Sequence, residues 1–465
     1  MAWTGTEAAS RLAGRRLPWR LWLRLKARLG GAESLVLQRL AGTVFLIRVL
    51  SALLAYASQV LFARWMGSFE FGIYVYVWTW VLLIGQSLDL GLATAAQRFI
   101  PEYRERRLLD LLRGYVSGSR WLALGSAIAA AALCAGVVRL LRPWLDDYTI
   151  IPLYLACMAL PAYALANTQD GISRAYDWVG LGIVPTYIAR QLLLTAMMAA
   201  AYFAGLPLDA VTAMVLACLC MWVPALGQLV VLNRRLRRRI EPGPKAHDIK
   251  LWMGTALPIL MAEGFYLMLA HADVLILQQF RPPDEVAVYY AAAKTLALVS
   301  FIHFSIGVTM AHRLSSLHAA GDRKSLVAFL AQAIRWTFWP SIIATALLLA
   351  IGRPLLRLFG PDFTGGYPLM FILAIGLLAR AAIGPMGRLL NMLGQQRACA
   401  IACAGAFAVN IGLCFVLIPM FGALGAAIAT TAALSVETFS LLRVATRRLG
   451  FQIVVGIGGF GFYPR

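Results

Sequence analysis

The stretch "FEFGIYVY" (Phe69–Tyr76) has a counterpart far down the chain, "DEVAVYYA" (Asp284–Ala291). Each carries a Glu followed four residues later by a Tyr. The pair Glu285/Tyr289 stands 215 residues after Glu70/Tyr74. The same offset carries Arg98 onto Arg313, Arg120-Trp121 onto Arg335-Trp336, and Leu140–Arg142 onto Leu355–Arg357. It also carries Asp147-Tyr148-Thr149 onto Asp362-Phe363-Thr364. Coincidences of Leu or Ala mean little in an apolar chain, but Arg-Trp and Asp-aromatic-Thr at one unbroken offset do not arise by composition. Past the fourth apolar run the register slips by a residue or two. The chain therefore reads as one plan used twice.

What is repeated is a set of membrane spans. The chain has 465 residues, is 61% hydrophobic and only 14% charged, and has a mean hydropathy of +0.74. Soluble domains carry about a quarter charged residues, and apolar runs of roughly 20 residues mark membrane-spanning helices. Twelve spans are expected, near 40–63, 71–96, 115–138, 150–172, 179–203, 208–232, 251–279, 286–311, 327–351, 367–387, 398–419 and 423–445. The fold class is all-α, a polytopic membrane protein of about 12 transmembrane helices in two parallel six-helix repeats. Six is even, so both halves enter from the same side, and such repeats flank a substrate path about an axis along the membrane normal.

The expected organisation is a basic amphipathic cytoplasmic segment over 1–39, a first bundle over 40–232 and a basic linker over 233–250. A second bundle follows over 251–447, with a tail over 448–465 that has no assigned role. The net charge of +21 sits in the short connections. With the N-terminus inside, about 30 Lys and Arg fall on the inner side and about 6 on the outer. Both termini are then cytoplasmic in a plasma membrane. No soluble domain presents a basic surface, which argues against nucleic acid. The seven cysteines lie in apolar runs, with no nearby His to complete a metal site. No cofactor is expected, and the absence of a Gly-rich phosphate loop argues against direct use of ATP.

"LFARWMGSFEFGIYVYVWTWVLLIGQSLDLGLATAAQRFIPEY" resembles the opening of the polysaccharide (Wzx-type) flippases, of the multidrug/oligosaccharidyl-lipid/polysaccharide (MOP) exporter superfamily. "ADVLILQQF", "EVAVYYAAAKTL", "LRLFGPDFTGGYPLMFIL" and "NIGLCFVLIPMFGALGAAIATTAALSVE" carry the likeness through the second half. The resemblance, over roughly residues 40–448, implies translocation of an undecaprenyl-diphosphate-linked oligosaccharide, such as an O-antigen or exopolysaccharide repeat unit. It implies a transporter rather than an enzyme. The partners it implies are the lipid-linked oligosaccharide, membrane lipids, and the polymerase and glycosyltransferases of the same pathway. The alternatives are a multidrug exporter of the same superfamily and a membrane-embedded glycosyltransferase or polymerase. The first should line its path with acids and aromatics; the second needs a large outer loop or an acidic metal motif.

Ionisable groups at membrane depth are costly and face a cavity or a partner. Arg48 is an expected headgroup contact, since a guanidinium fork suits phosphate oxygens; the resemblance implies Arg48 and Lys294 together as headgroup contacts. Arg190 and Arg380 are further substrate candidates, with snorkelling as the competing reading. Asp89, Glu263, Asp273 and Asn410 are the gate or coupling candidates. Arg48 and Glu263 are repeat mates and so face as a gate pair, while Arg48–Asp89 is the competing structural pair. The resemblance places a cation site among the seventh, eleventh and twelfth spans, where His271, Asp273, Asn410, Thr430 and Thr431 lie. Simple solvation of Asp273 near the outer interface is the competing reading.

Overall fold

The computed structural model describes residues 19–303, 305–306, 310, 323–392, 395–449, 451–456 and 459–464. It divides into two compact units, Met1–Leu50 and Ser51–Arg465. The described part of the first unit is helical from Trp19, so part of the expected basic surface segment lies outside the described residues.

The second unit is nearly all helix. Among the described residues ten stretches are long and apolar enough to cross a membrane. The first, Val49–Glu105, has 57 residues, about 85 Å of helix at 1.5 Å per residue and so more than one crossing. Two of the twelve expected spans fall within it. Helix α1 (Trp19–Ser87) kinks at Gly67, where φ is 80°, and α2 (Leu92–Glu105) follows a left-handed turn at Leu90 and Gly91. Next come α3 (Leu109–Leu141), α4 (Asp147–Ala175), α5 (Val179–Ile183), α6 (Arg190–Phe203) and α7 (Ala210–Arg237). A π-helical turn, Val184–Ala189, joins α5 to α6.

The second half opens with α8 (Ile249–Phe280) and α9 (Pro283–Ala297). The span expected over 286–311 runs on from α9 into residues outside the described set. Then come α10 (Arg323–Ala350), α11 (Gly352–Phe359), α12 (Tyr367–Ala382), α13 (Met386–Met392), α14 (Gln396–Phe421) and α15 (Ala423–Leu449). The tail departs from the all-helical expectation: β1 (Phe451–Gly456) and β2 (Gly459–Pro464) pair as an antiparallel hairpin. The basic linker is shorter than expected, since α7 runs to Arg237 and α9's predecessor begins at Ile249. Its loop lies on α3, where Arg113 donates to the carbonyls of Glu241 (2.7 Å) and Pro244 (3.3 Å).

The repeat read from the sequence has a structural job. Glu70 accepts the backbone N–H of Ala210 at 2.7 Å, at the start of α7. Glu285 accepts the backbone N–H of Ala423 at 2.6 Å, at the start of α15. Each carboxylate thus satisfies an orphan N–H and the positive end of the last helix of its own half. Other mates also behave alike. Thr149 and Thr364 each donate to the carbonyl three residues back, at 2.8 Å in both cases. Trp121 and Trp336 both point outward, 73% and 61% exposed, as suits rings facing lipid.

Both halves lie in the second unit and touch at the kink end of α1. Ser68 donates to Asp284 at 2.5 Å, and Arg64 donates to the carbonyls of Leu358 (2.8 Å) and Arg357 (3.3 Å). A Cβ on Gly72 would stand 1.9 Å from the Pro283 carbonyl oxygen, so glycine is what lets α1 and α9 meet there. Deeper in, Tyr76 accepts from Gln279 at 3.2 Å and Tyr56 bonds Thr295 at 3.0 Å. At the other end Trp252 of α8 donates to Tyr103 of α2 at 3.0 Å.

Replacing Glu70 or Glu285 by Ala is expected to destabilise the detergent-purified protein by about 1 kcal/mol each, the usual worth of a helix cap. The loss should be nearly additive in the double variant, read from thermal unfolding; no shift from either would refute the capping role. A disulfide between Ser68→Cys and Asp284→Cys is expected to form readily. Adding Gly72→Leu should suppress it, and undiminished cross-linking would show that the two helices do not need that close approach.

Candidate functional site

Two cations flank an aromatic bridge between the halves. Arg190 of α6 lies over the Trp78 ring, 5.4 Å from its centroid, and Lys294 of α9 lies over the Tyr290 ring at 5.0 Å. Trp78 stacks on Tyr74 at 6.2 Å; Tyr74 and Tyr290 each meet Phe71, at 6.4 and 6.2 Å. The order across the interface is therefore Arg190, Trp78, Tyr74, Phe71, Tyr290, Lys294. Arg190 also approaches the Met221 sulfur at 3.2 Å. Among the described residues neither cation forms a salt bridge.

Helix geometry fixes where Lys294 points. Along α9, Tyr290 touches Phe71 and Thr295 touches Tyr56, both in the first half. At roughly 100° per residue, Lys294 falls between these two directions, so its ammonium faces the opposite half rather than lipid. Neither Arg190 nor Lys294 needs snorkelling to account for its position. The aromatic faces attract the charges, worth about 0.5–2 kcal/mol each depending on desolvation, without cancelling them.

Arg380 differs. Its guanidinium stands 3.8 Å from Glu437 of α15 and 5.1 Å from the Tyr266 centroid. Glu437 is only 3% exposed and also accepts from the Cys403 thiol at 3.9 Å. Arg380 is thus the partner of a buried acid and belongs to the packing of the second half. The sequence reading missed Glu437, which sits 57 residues away on another helix.

The coupling candidates separate in the same way. Asp273 is 5% exposed, which rules out solvation at an interface. Its carboxylate accepts from the Tyr289 hydroxyl, from Thr430 Oγ1 at 3.0 Å and from its own helix at the Val274 N–H, 2.8 Å. Tyr289 also bonds Thr430 at 3.2 Å. Asn410 is fully buried and accepts from Cys414 at 3.3 Å, while its amide nitrogen has no partner among the described residues. Asp273 of α8 and Thr430 of α15 are thus brought together, with Tyr289 from α9 as a member the sequence reading had placed only in the repeat, while the bond of Asn410 lies within its own helix α14. Thr431 instead donates to the Ile372 carbonyl at 2.8 Å.

In the first half the residue 215 positions before Asp273 is Ser58, whose hydroxyl bonds that of Thr195 at 2.7 Å. That position is neutral there and acidic in the second half. Asp89 is a structural group: it accepts the Gly91 N–H at 2.9 Å, satisfying a donor freed by the break between α1 and α2. Glu263 is exposed and accepts from Thr94 of α2 at 3.4 Å. The Arg48 side chain lies outside the described residues, and so do its expected pairings with Glu263 and Asp89.

Among solved structures, a multidrug-resistance MATE transporter of the MOP superfamily in an inward-facing conformation superposes with a TM-score of 0.71. It shares 14% identity, over 86% of this chain and 94% of that one. The lipid II flippase MurJ in an inward closed conformation gives 0.65 at 16% identity, over 87% of each chain. A Pyrococcus furiosus MOP transporter gives 0.64 at 13%, over 88% of this chain and 96% of that one. Identities this low establish the shared fold. No curated protein matches the sequence. The family described as MatE matches residues 258–416, the bulk of the second half. The family described as "Polysaccharide biosynthesis protein" matches residues 39–312, more than half of the chain. A multi-pass helical membrane protein with the MOP transporter fold, the chain belongs to the polysaccharide biosynthesis protein family.

Proposed function

We propose that the protein flips a polyprenyl-diphosphate-linked oligosaccharide, such as an O-antigen or exopolysaccharide unit on undecaprenyl diphosphate, across the bacterial plasma membrane. The observation that carries this reading is the pair of cations that form no salt bridge among the described residues, Arg190 and Lys294, on either side of the aromatic bridge. A diphosphate cannot enter an apolar space without counter-charge, and each cation offers donors suited to phosphate oxygens. The polyprenyl tail would stay in lipid while the headgroup crosses between the halves. Arg380 drops out of the contact set, because Glu437 already neutralises it.

The multidrug alternative fits less well, since an organic cation would meet two positive groups between the halves. The solved archaeal MOP transporter is described by the reverse polarity of its binding pocket, which supports the idea that polarity sets cargo within this fold. A glycosyltransferase or polymerase is disfavoured by the family and by the short connections. With both termini cytoplasmic, the contacts of Ser68, Arg64 and Gly72 lie on the outer side and close it. Alternating access then requires those contacts to part.

Asp273 is the coupling carboxylate in this reading. A buried carboxylate, the Asn410 amide and the Thr430 hydroxyl present hard ligands for a small cation or proton. Lys294 on the neighbouring helix ties that event to the headgroup. Arg48 and Glu263 remain a proposed gate pair.

In proteoliposomes loaded with a fluorescent polyprenyl-diphosphate oligosaccharide, Lys294→Ala and Arg190→Ala are each expected to slow flipping about tenfold or more, the worth of a charge-assisted hydrogen bond. Lys294→Arg should retain most activity; unaffected rates in both Ala variants would remove the basis for the proposal. Asp273→Asn is expected to leave lipid binding intact while abolishing acceleration by an imposed Na⁺ or proton gradient. If a gradient still drove the variant as it drives the wild type, coupling would have to reside elsewhere.

A further inference from the structure

A polar group that the headgroup reading does not use lies on α1 eight residues after Trp78, the ring beneath Arg190. Gln86 of α1 accepts two hydrogen bonds on its carbonyl oxygen, from the Tyr163 hydroxyl at 3.2 Å and the Asn167 amide at 3.3 Å, both from α4. Those bonds leave the Gln86 amide nitrogen as donor and the Asn167 carbonyl as acceptor side by side. The Tyr163 ring rests on the α1 backbone at Gly85, where a Cβ would meet it at 2.8 Å. Any larger residue at position 85 would push the ring away.

The direction of this group follows from the helix. Phe71 and Gly72 both turn toward the second half, to Tyr290 and Pro283. Gln86 lies fourteen and fifteen positions on, which at roughly 100° per residue places it between those two directions. Its exposure is therefore to the space between the halves, and Tyr163 and Asn167, bonded to it, border the same space. Arg190 lies over Trp78, eight residues before Gln86 on α1 and so about 12 Å along the helix axis. The π-helical turn Val184–Ala189, a local widening frequently found at functional sites, leads directly into Arg190.

We infer that Gln86, Asn167 and Tyr163 form a pyranose-binding platform that takes the sugar residue attached directly to the diphosphate. The inference rests on the headgroup reading above and adds to it. An aromatic ring at the edge of a row of amides offers what a pyranose needs: a flat apolar face for its C–H groups and paired donors and acceptors for its hydroxyls. With Arg190 over Trp78 and Gln86 two helical turns further along α1, about 12 Å separates the two levels, the reach of a diphosphate and its linked sugar. No carboxylate belongs to the platform. Asp89, three residues after Gln86 along the chain, is occupied by the Gly91 backbone N–H.

The test uses purified protein in nanodiscs, titrated by native mass spectrometry with two probes. One is a short-chain polyprenyl diphosphate, the other the same diphosphate bearing one N-acetylhexosamine. Wild type is expected to prefer the glycosylated probe by about tenfold, the worth of one or two net hydrogen bonds. Gln86→Ala and Asn167→Ala should erase that preference while still binding the bare diphosphate, which also reports that they are folded. Arg190→Ala should weaken both probes alike. Variants that keep the full preference would overturn the platform and leave the headgroup reading standing. Failure of wild type to bind either probe would overturn both.

Discussion

A charged or polar group inside a bilayer has no water to fall back on, and every partner it has must come from the chain itself. That constraint sorts the ionisable residues of this protein. Glu70 and Glu285 each close the amino end of a helix, Asp89 closes a break in one, and Arg380 and Glu437 neutralise each other. These groups are accounted for by the fold. Arg190 and Lys294 rest on ring faces, Arg190 also meeting the Met221 sulfur; a ring face attracts a cation but leaves hydrogen-bond donors open. That neither forms a salt bridge among the described residues makes them candidates for recognising cargo.

The two halves share a scaffold but not a chemistry. Mates such as Thr149 and Thr364 preserve the same local bond, because helix ends need their donors and acceptors satisfied wherever they occur. At membrane depth the mates part: Ser58, neutral and bonded to Thr195, stands where the second half has Asp273. At that position the second half alone carries an ionisable group. An event confined to one half of a pseudo-symmetric bundle can bias how the halves meet, which is the kind of bistable element that alternating access requires. The aromatic bridge from Trp78 to Tyr290 is where such a bias would be felt, since it spans the interface and carries both cations.

The likeness to drug exporters and to a lipid flippase at 11–16% identity illustrates how little a fold says about cargo. The bundle sets where a path can run; the charges and rings along it decide what passes. Here the basic residues between the halves and the membership of a polysaccharide biosynthesis family lead to the same class of ligand.

The linear chain by itself determined the spans, their pairing into two equivalent halves and the asymmetric distribution of basic loops. Those properties depend on hydrophobic run length against bilayer thickness and on a fixed offset, both visible without contacts. It also marked Lys294, Arg190 and Asp273 as costly groups that need a cavity or a partner. Which charges were already neutralised could be decided only by the tertiary structure, because partners sit on helices remote in sequence. Arg380 finds Glu437 on α15, Asp273 finds Tyr289 and Thr430, and Gln86 finds Tyr163 and Asn167. The direction of a side chain around its helix follows from periodicity. What stands opposite it depends on how the helices pack, and that carries no signal in spacing alone.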